Sequence, residues 1–391
     1  MRWPTWRGCR GRARHNPLRP ARQRRKYTAL AGWGFVRLAV GLVFLVVAAH
    51  ARSPSTIDTI QQAKERGDYA VIEKLATVAL GTRRLGANDR ATLLGQRGYA
   101  LILEGRSSDG ERDIVQALDT APDKEVRAVI FDEARDAYYG SGNQYVEQGR
   151  YDLAIARYTA GMNYTSDEGE LYSERAYAYF RARDFDRAIA DYQRYIDAVD
   201  NASNAIVGIG NAYEAKLDFG HAMAGYNVGI AEDSSNETLL GYRGRAYAVL
   251  GNYAAAARDL GRTIALNPQD ASSLVWLHIV HIRTGKEDAR WLKQKAVSQE
   301  LQKWPGVVLS YFLRRTSAKD LVTFAQTDPN TARDEQRCDA WFYLGEEALA
   351  RGDRPAARDL LRKTVTGCDA VDYEWAPAAV ELRRLDGSFK K

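Results

Sequence analysis

The residues best suited to chemistry are two histidines in the second half of the chain. His278 and His281 are three residues apart, which places both side chains on one face of a helix at a spacing that could hold a metal ion. The nearest candidates for a third ligand are Glu287 and Asp288, across a turn. Both histidines fall at core positions of the repeat described below. We therefore expect them to pack in the core, and we predict no metal and no cofactor.

The three cysteines favour a disulfide bond over a catalytic thiol. Cys9 lies in a segment that we expect to be removed. Cys338 and Cys368 would stand at the same end of a helical hairpin, so a bridge between them is geometrically plausible and would persist in an oxidising compartment. The alternative is two free thiols. The sequence has no C-x-x-C motif, no G-x-S-x-G motif and no Walker loop, so we predict that the protein is not an enzyme.

A repeat of 34 residues positions these side chains. Gly142, Ala176, Gly210 and Gly244 follow one another at this interval. The same interval separates a set of alanines and a set of tyrosines: Ala154, Ala188, Ala222 and Ala256, and Tyr145, Tyr179, Tyr213 and Tyr247. A period of 34 with small residues at two fixed places resembles the tetratricopeptide repeat (TPR), a helix–turn–helix unit that stacks into a solenoid. We therefore predict an all-α TPR superhelical solenoid of antiparallel helix hairpins.

The repeat is regular over only part of the chain. Residues 135–270 contain four contiguous units. Residues 52–134 have the weaker pattern of N-terminal capping or irregular repeats, and 125–134 add an extended helix or an extra turn. Residues 271–337 form a degenerate repeat with extra helices, because His278 and Arg290 replace its two small residues. Residues 338–391 comprise a C-terminal repeat and a capping helix.

The N-terminal segment 1–51 has the layout of a secretory signal peptide. It carries eleven Lys/Arg and no Asp/Glu, followed by a twelve-residue apolar run at 38–49 and by Ala49-His50-Ala51, a possible cleavage site. The alternative is an uncleaved membrane anchor, although a spanning helix needs about 20 apolar residues. Both interpretations predict a periplasmic or otherwise extracytoplasmic protein. Residues 52–391 carry 45 basic and 50 acidic side chains, so we expect no nucleic-acid binding.

A ligand is expected along the first helices of the repeats. In a TPR, positions 5 and 9 of the first helix point into the groove, and polar or aromatic residues occupy them here: Tyr99, Tyr139, Asn143, Tyr177, Asn211 and Arg245. Such side chains can hydrogen-bond an extended peptide, so we predict protein or peptide partners. The alternative is a solvated polar face without a dedicated ligand. The clamp that chaperone-binding TPR domains use for a C-terminal carboxylate needs a lysine where Tyr139 precedes Asn143, and is therefore missing.

The C-terminal third resembles a narrower family. Trp276-Leu277-His278 opens a helix, Lys303-Trp304-Pro305-Gly306 precedes a small helical pair, and residues 341–345 begin a repeat that a closing helix follows. Over roughly residues 270–386 this order resembles the NlpI-type periplasmic TPR adaptor lipoproteins of Gram-negative bacteria. The resemblance implies an adaptor that gathers cell-wall hydrolases and a processing protease. The chain departs from that family by lacking a lipidated cysteine. An anchored assembly factor for an envelope complex is the alternative, and a helical-repeat enzyme is a remote one.

Overall fold

A computed structural model describes residues 55–82, 84–165, 169–199, 202–286, 288–327 and 333–388. All regular elements of these segments are helical, and the α-helices are α1 (Thr56–Glu65), α2 (Tyr69–Leu80), α3 (Ala87–Leu103), α4 (Ser107–Thr120), α5 (Lys124–Glu147), α6 (Tyr151–Gly161), α7 (Gly169–Arg181), α8 (Phe185–Ala198), α9 (Ser203–Ala215), α10 (Phe219–Glu232), α11 (Glu237–Val249), α12 (Tyr253–Leu266), α13 (Ala271–Arg283), α14 (Ala289–Lys295), α15 (Gly306–Phe312), α16 (Ala318–Thr327), α17 (Arg333–Ala350), α18 (Arg354–Gly367) and α19 (Trp375–Leu385).

The N-terminal segment 1–51, for which we predicted a signal peptide or an anchor, lies outside the described residues. Within the described part of the chain, none of the helices is long and apolar enough to cross a membrane.

The helix starts follow the predicted period. The first helices α7, α9, α11 and α13 begin at residues 169, 203, 237 and 271, and the second helices α8, α10 and α12 begin at 185, 219 and 253. Each first helix packs against the second helix that follows it. Residues 125–134 belong to α5, which is 24 residues long and so extends its hairpin at the N-terminal end. The all-helical solenoid predicted from the sequence is confirmed.

Short polar caps explain where the second helices begin. The side chains of Asp184, Asp218 and Asn252 each accept a hydrogen bond from the backbone N–H three residues later, at the first turn of α8, α10 and α12. The turn before each second helix requires a residue in the left-handed conformation. Before α6, Gly149 provides it with φ +69°. The equivalent residue after α9 is Leu217, which adopts φ +58° despite its Cβ.

The regular spacing of small residues along the chain reflects contact within each hairpin. A Cβ on Gly142 would overlap the Tyr158 ring, and one on Gly210 would overlap the Tyr226 ring. Tyr158 is sixteen residues after Gly142, so position 8 of the repeat packs against position 24. Ala154, the small residue at position 20, is also buried, one turn before Tyr158 in the second helix.

The C-terminal helices pack back onto the regular repeats. Helix α17 contacts α13, and α19 contacts α9, α11 and α17. A single buried cluster runs from Val207 in α9 to Leu385 at the end of α19. The last helix therefore lies against the first helices of the repeats, on the side where we expected a ligand.

Candidate functional site

The first helices follow one another in a row. Helix α3 contacts α5, α7 contacts α9, α9 contacts α11, and α11 contacts α13. The side chains of Tyr139 and Glu174 link α5 to α7. Side chains at positions 5 and 9 of successive repeats lie along this row, which we call the inner row. The predicted site residues differ in how exposed their side chains are along the inner row.

The N-terminal part of the inner row, on α5 and α7, is partly open. Tyr177 is 37% exposed, and its hydroxyl accepts a hydrogen bond from Arg181 at 3.1 Å. Asn143 is half-buried, and its Oδ1 accepts a hydrogen bond from the Tyr158 hydroxyl at 2.6 Å. Burial raises the pKa of Tyr139, and a hydrogen bond from the Asn143 side chain opposes this, so one of the two amide N–H groups of Asn143 is already engaged.

Tyr139 lies between these residues and an acidic neighbour. Its hydroxyl is 3.5 Å from Glu174 Oε1, and its ring lies 6.2 Å from that of Tyr158. Burial raises the pKa of Glu174, and the hydrogen bond from Tyr139 only partly offsets this. The open part of the inner row thus combines two tyrosines, an amide and a partly desolvated carboxyl group.

Tyr99 belongs to a packed cluster at the N-terminal end of the row. Its ring meets Tyr69 edge to face at 6.1 Å, and Lys64 Nζ lies 4.2 Å from the ring centroid. Burial raises the pKa of Tyr99 to about 12. Lys64 Nζ also lies 3.4 Å from Glu133 Oε1, so the cation over the Tyr99 ring is part of a salt bridge. Tyr99 therefore supports the packing of α1 and α2 on α3.

Arg245 has a different environment from the one expected of a ligand-binding residue. It is 2% exposed, and its Nη2 lies 2.5 Å from Glu214 Oε2. Nη1 donates a hydrogen bond to the Tyr373 carbonyl at 2.9 Å, and the guanidinium lies 3.6 Å from the centroid of the Tyr373 ring. Burial raises the pKa of Glu214, which Arg245 partly counteracts. Through its contacts with the carbonyl and the ring of Tyr373, Arg245 thus stabilises the position of residues 369–376 against the inner row.

Asn211 lies under the same segment. It lines a small cavity of about 60 Å³ together with Arg245, Asp372 and Tyr373. Arg183, in the left-handed turn before α8, reaches Asp369 at 2.8 Å. The C-terminal part of the inner row is therefore covered by the chain itself, which local periodicity could not reveal.

The two histidines are buried, as expected, but they also share hydrogen bonds with one carboxyl group. The Nδ1 atoms of His278 and His281 both lie 2.9 Å from Asp288 Oδ2. Burial alone would raise the pKa of Asp288, but hydrogen bonds from the two histidines outweigh it and lower the pKa to about 2. Glu287, the other proposed ligand, lies outside the described residues. The arrangement ties the turn after α13 to that helix.

Cys338 and Cys368 lie at disulfide distance, with their Cα atoms 6.0 Å apart. Their sulfur atoms and an Asp372 oxygen lie within 4.8 Å of one another, the one grouping of His, Cys, Asp and Glu side chains in the described segments that is compact enough for a metal ion. A thiolate is the form of cysteine that binds metals, so the pair is not a ligand set while it is bonded.

Sequence reasoning missed a set of buried acids in the C-terminal helices. Glu374 is fully buried, and its Oε1 accepts hydrogen bonds from Tyr343 at 2.6 Å and from Trp276 at 3.3 Å. Burial raises its pKa to about 7. Burial and the nearby Glu381 likewise raise the pKa of Glu346 to about 8, against the effect of Arg283. The one available signal was the position of Glu346 within an apolar stretch of α17.

Comparisons with known proteins agree with the repeat. Residues 139–206 and 242–289 match the tetratricopeptide repeat family model. The chain is 31% identical over 77 residues to human tetratricopeptide repeat protein 12, which covers 20% of this chain and 11% of that protein. The mouse protein of the same name is 29% identical over 91 residues, covering 23% of this chain and 13% of that protein. The chain therefore matches about a tenth of the length of these curated relatives.

Several solved structures are similar at low identity. YrrB, a TPR protein described as having an unusual peptide-binding site, is 17% identical with a TM-score of 0.34, covering 56% of this chain and 96% of that one. A TPR protein from Parabacteroides merdae is 15% identical with a TM-score of 0.37, covering 66% and 96%. The apo form of RapI is 11% identical with a TM-score of 0.44, covering 85% and 96%.

Proposed function

We propose that this chain, an all-helical TPR solenoid, is a scaffold that binds an extended segment of a partner protein along the open part of its inner row. TPR repeats suggest a protein–protein interaction scaffold, and proteins of this fold are generally non-catalytic. One observation carries the choice of surface. Tyr139, Asn143 and Tyr177 are partly exposed on neighbouring first helices, whereas Asn211 and Arg245 are covered by residues 369–376.

The chemistry of this surface suits a peptide. An extended backbone presents alternating N–H and C=O groups, and Asn143 can donate to a carbonyl while Glu174 accepts from an N–H. Tyrosine contributes a large contact area at a small cost in conformational entropy, because its side chain has only two rotatable torsions. The solvated-face alternative predicts that these side chains can be removed without effect on any partner.

A crosslinking pull-down with the full chain tests this proposal. Tyr177→Ala, alone and combined with Tyr139→Ala, is expected to lose partners that the unaltered protein captures. Leu250→Ala is the matched control, because Leu250 is also 37% exposed but lies in the turn after α11. An unchanged partner set in the double variant, with unchanged thermal unfolding, would exclude the open part of the inner row as the binding surface.

We propose further that the protein acts outside the cytoplasm, in the cell envelope. The basic segment and apolar run of residues 1–51 support export, and a Cys338–Cys368 pair at disulfide distance suits an oxidising compartment. The resemblance to NlpI-type adaptors suggests that the partners are enzymes of cell-wall turnover. Sequencing the N-terminus of exported protein tests the cleavage. A first residue at Arg52 supports it, and a first residue at Met1 refutes it.

A membrane-anchored assembly factor is the second candidate, in which the apolar run at 38–49 is retained although it is shorter than a spanning helix of about 20 residues. In that case the same repeats would remain attached to the membrane. Extraction of membranes with alkaline carbonate separates the two proposals. Release of the protein supports a soluble scaffold, whereas retention supports the anchor.

A further inference from the structure

A second surface, distinct from the open part of the inner row, is a cavity of about 460 Å³ in the C-terminal half. Helix α11, the start of α13, the Trp304–Pro305 segment and α17 line it, and Tyr373 completes the wall. This volume falls within the roughly 300–1,000 Å³ of typical small-ligand sites.

Aromatic side chains make up a third of the wall of the cavity. Five of its fifteen lining residues are tyrosines or tryptophans: Tyr242, Trp276, Trp304, Tyr343 and Tyr373. Tyr242 and Tyr373 meet edge to face, with ring centroids 5.8 Å apart and planes at 82°. The face of an aromatic ring carries a negative partial charge, so several rings around one space attract a cation.

Three side chains of the wall are acidic. Glu237, Asp270 and Asp339 line the cavity, and the lining residues in the described part of the chain include no lysine, arginine or histidine. Asp339 accepts a hydrogen bond from Trp304 Nε1 at 3.0 Å, which fixes its carboxyl group at the wall. Burial and the nearby Glu374 raise the pKa of Asp339 well above its usual range, so the negative charge of the wall comes from Glu237 and Asp270. Asp270 caps α13 by accepting from the Ser273 N–H at 3.1 Å.

Arg245 is a cation close to this cavity. It lies behind the Tyr373 ring, 3.6 Å from its centroid, and is paired with Glu214 at 2.5 Å. Glu374 lies behind the wall and accepts hydrogen bonds from Trp276 and Tyr343, and burial raises its pKa to about 7. The carboxylates of Glu237 and Asp270 and the rings that Arg245 does not cover therefore act in the same direction on a cationic occupant.

We infer that this cavity binds an alkylammonium group. The two sources of that chemistry are a lysine side chain of a partner protein and a free quaternary amine. A carboxylate ligand, of the kind held by chaperone-binding TPR domains, is disfavoured because Glu237 and Asp270 would repel it. This inference does not depend on the proposed use of the inner row, because the two surfaces share no lining residue.

Titration of the full chain with matched probes tests the inference. Nα-acetyl-lysine methylamide carries the ammonium, and Nα-acetyl-norleucine methylamide has a similar shape without it. Calorimetry and the fluorescence of the cavity tryptophans would follow binding. We expect the lysine probe to bind at least tenfold more tightly than the norleucine probe. Measurable binding of both probes with equal affinity overturns the inference. So does the absence of binding for both the lysine probe and tetramethylammonium.

The source of the ammonium is decided by a third titration. Tetramethylammonium fills an aromatic cage without any backbone contact. Binding of tetramethylammonium as tight as that of the lysine probe supports a free quaternary amine. Binding of the lysine probe alone supports a side chain presented by a protein.

Two variants assign the binding to the cavity. Asp270→Asn keeps the helix cap, since asparagine is an equally good N-cap, and removes one charge. Glu237→Gln removes the other carboxylate charge of the wall. Each is expected to weaken the lysine probe about tenfold. Asp353→Asn is the matched control, because Asp353 caps α18 with the same 3.1 Å bond but lies outside the cavity. Unchanged affinity in both cavity variants would place the binding elsewhere and refute the inference.

Discussion

Replacing Arg245 tests whether the chain's own C-terminal segment is fixed to the inner row. The residue joins elements that are far apart in sequence, since its hydrogen-bond partner Tyr373 is 128 residues away. Arg245→Met keeps most of the aliphatic bulk but removes the guanidinium. The substitution therefore removes the 2.5 Å ion pair with Glu214 and the hydrogen bond to the Tyr373 carbonyl together.

The expected loss is large because both partners of the ion pair are buried. The side chains of Arg245 and Glu214 are only 2% and 3% exposed. Removing one member of a buried pair costs about 3–5 kcal/mol, since the other is left without a counter-charge in a medium that solvates it poorly. Glu214 already has a raised pKa from burial, and without Arg245 we expect it to take up a proton. The loss is a substantial part of the ~5–15 kcal/mol by which a domain is stable.

Urea unfolding followed by tryptophan fluorescence and limited proteolysis are the two measurements. We expect Arg245→Met to unfold at lower urea and to be cleaved within residues 369–385. Arg187→Met is the control, because the Arg187 side chain is 65% exposed, so solvent screens its ion pair with Asp184 and we expect the urea midpoint to stay unchanged. Adding Glu214→Gln to Arg245→Met should recover part of the loss, because no buried charge then remains. A loss below about 1 kcal/mol with residues 369–385 still protected would refute this account of the C-terminal segment.

Three further predictions concern the packing, the cysteines and the histidines. Gly210→Ala should lower the free energy of unfolding by about 1–3 kcal/mol, because the new Cβ meets the Tyr226 ring. Gly261→Ala, which has open space around it, should raise the free energy of unfolding by about 0.5–1 kcal/mol. Thermal unfolding of both variants checks the opposite signs. Cys338→Ser should lower the free energy of unfolding by about 3 kcal/mol under oxidising conditions. Adding reductant should not destabilise this variant further. Equal stability of the original protein with and without reductant contradicts this prediction. Asp288→Asn should lose about 2 kcal/mol at pH 7. The pKa of Asp288 is lowered from 3.8 to about 2, so its contribution is complete above pH 3.8, and the gap between the variant and the original protein should close as the pH falls through that window.

The sequence predicted the local architecture well. The 34-residue spacing of small and aromatic residues reflects contacts within a hairpin, between residues such as Gly142 and Tyr158 that are sixteen positions apart. Such contacts recur in every unit, so they leave a periodic pattern that can be read without a structure. The starts of α7, α9, α11 and α13 follow that pattern residue by residue.

The candidate site was less predictable, because its contacts are made once and not in every repeat. Position 9 holds a polar residue in each regular unit, and the pattern gives Asn143 and Arg245 the same role. The structure separates them: Asn143 is half-buried on an open part of the row, whereas Arg245 is held by Tyr373. The histidines show the same limit, since their burial follows from the repeat but their shared contact with Asp288 depends on the turn after α13.

Helix α19 connects the C-terminal repeat to the middle repeats. It packs on α17 and also contacts α9 and α11, so one helix covers part of the C-terminal repeat and part of the face of the middle repeats. The segment before it, from Asp369 to Tyr373, adds polar contacts with Arg183 and Arg245. Because this segment covers Asn211 and Arg245 and also lines the cavity beside Tyr373, one contact between distant parts of the chain shapes both surfaces. For this reason we place the proposed partner on α5 and α7, where Tyr139, Asn143 and Tyr177 remain partly exposed.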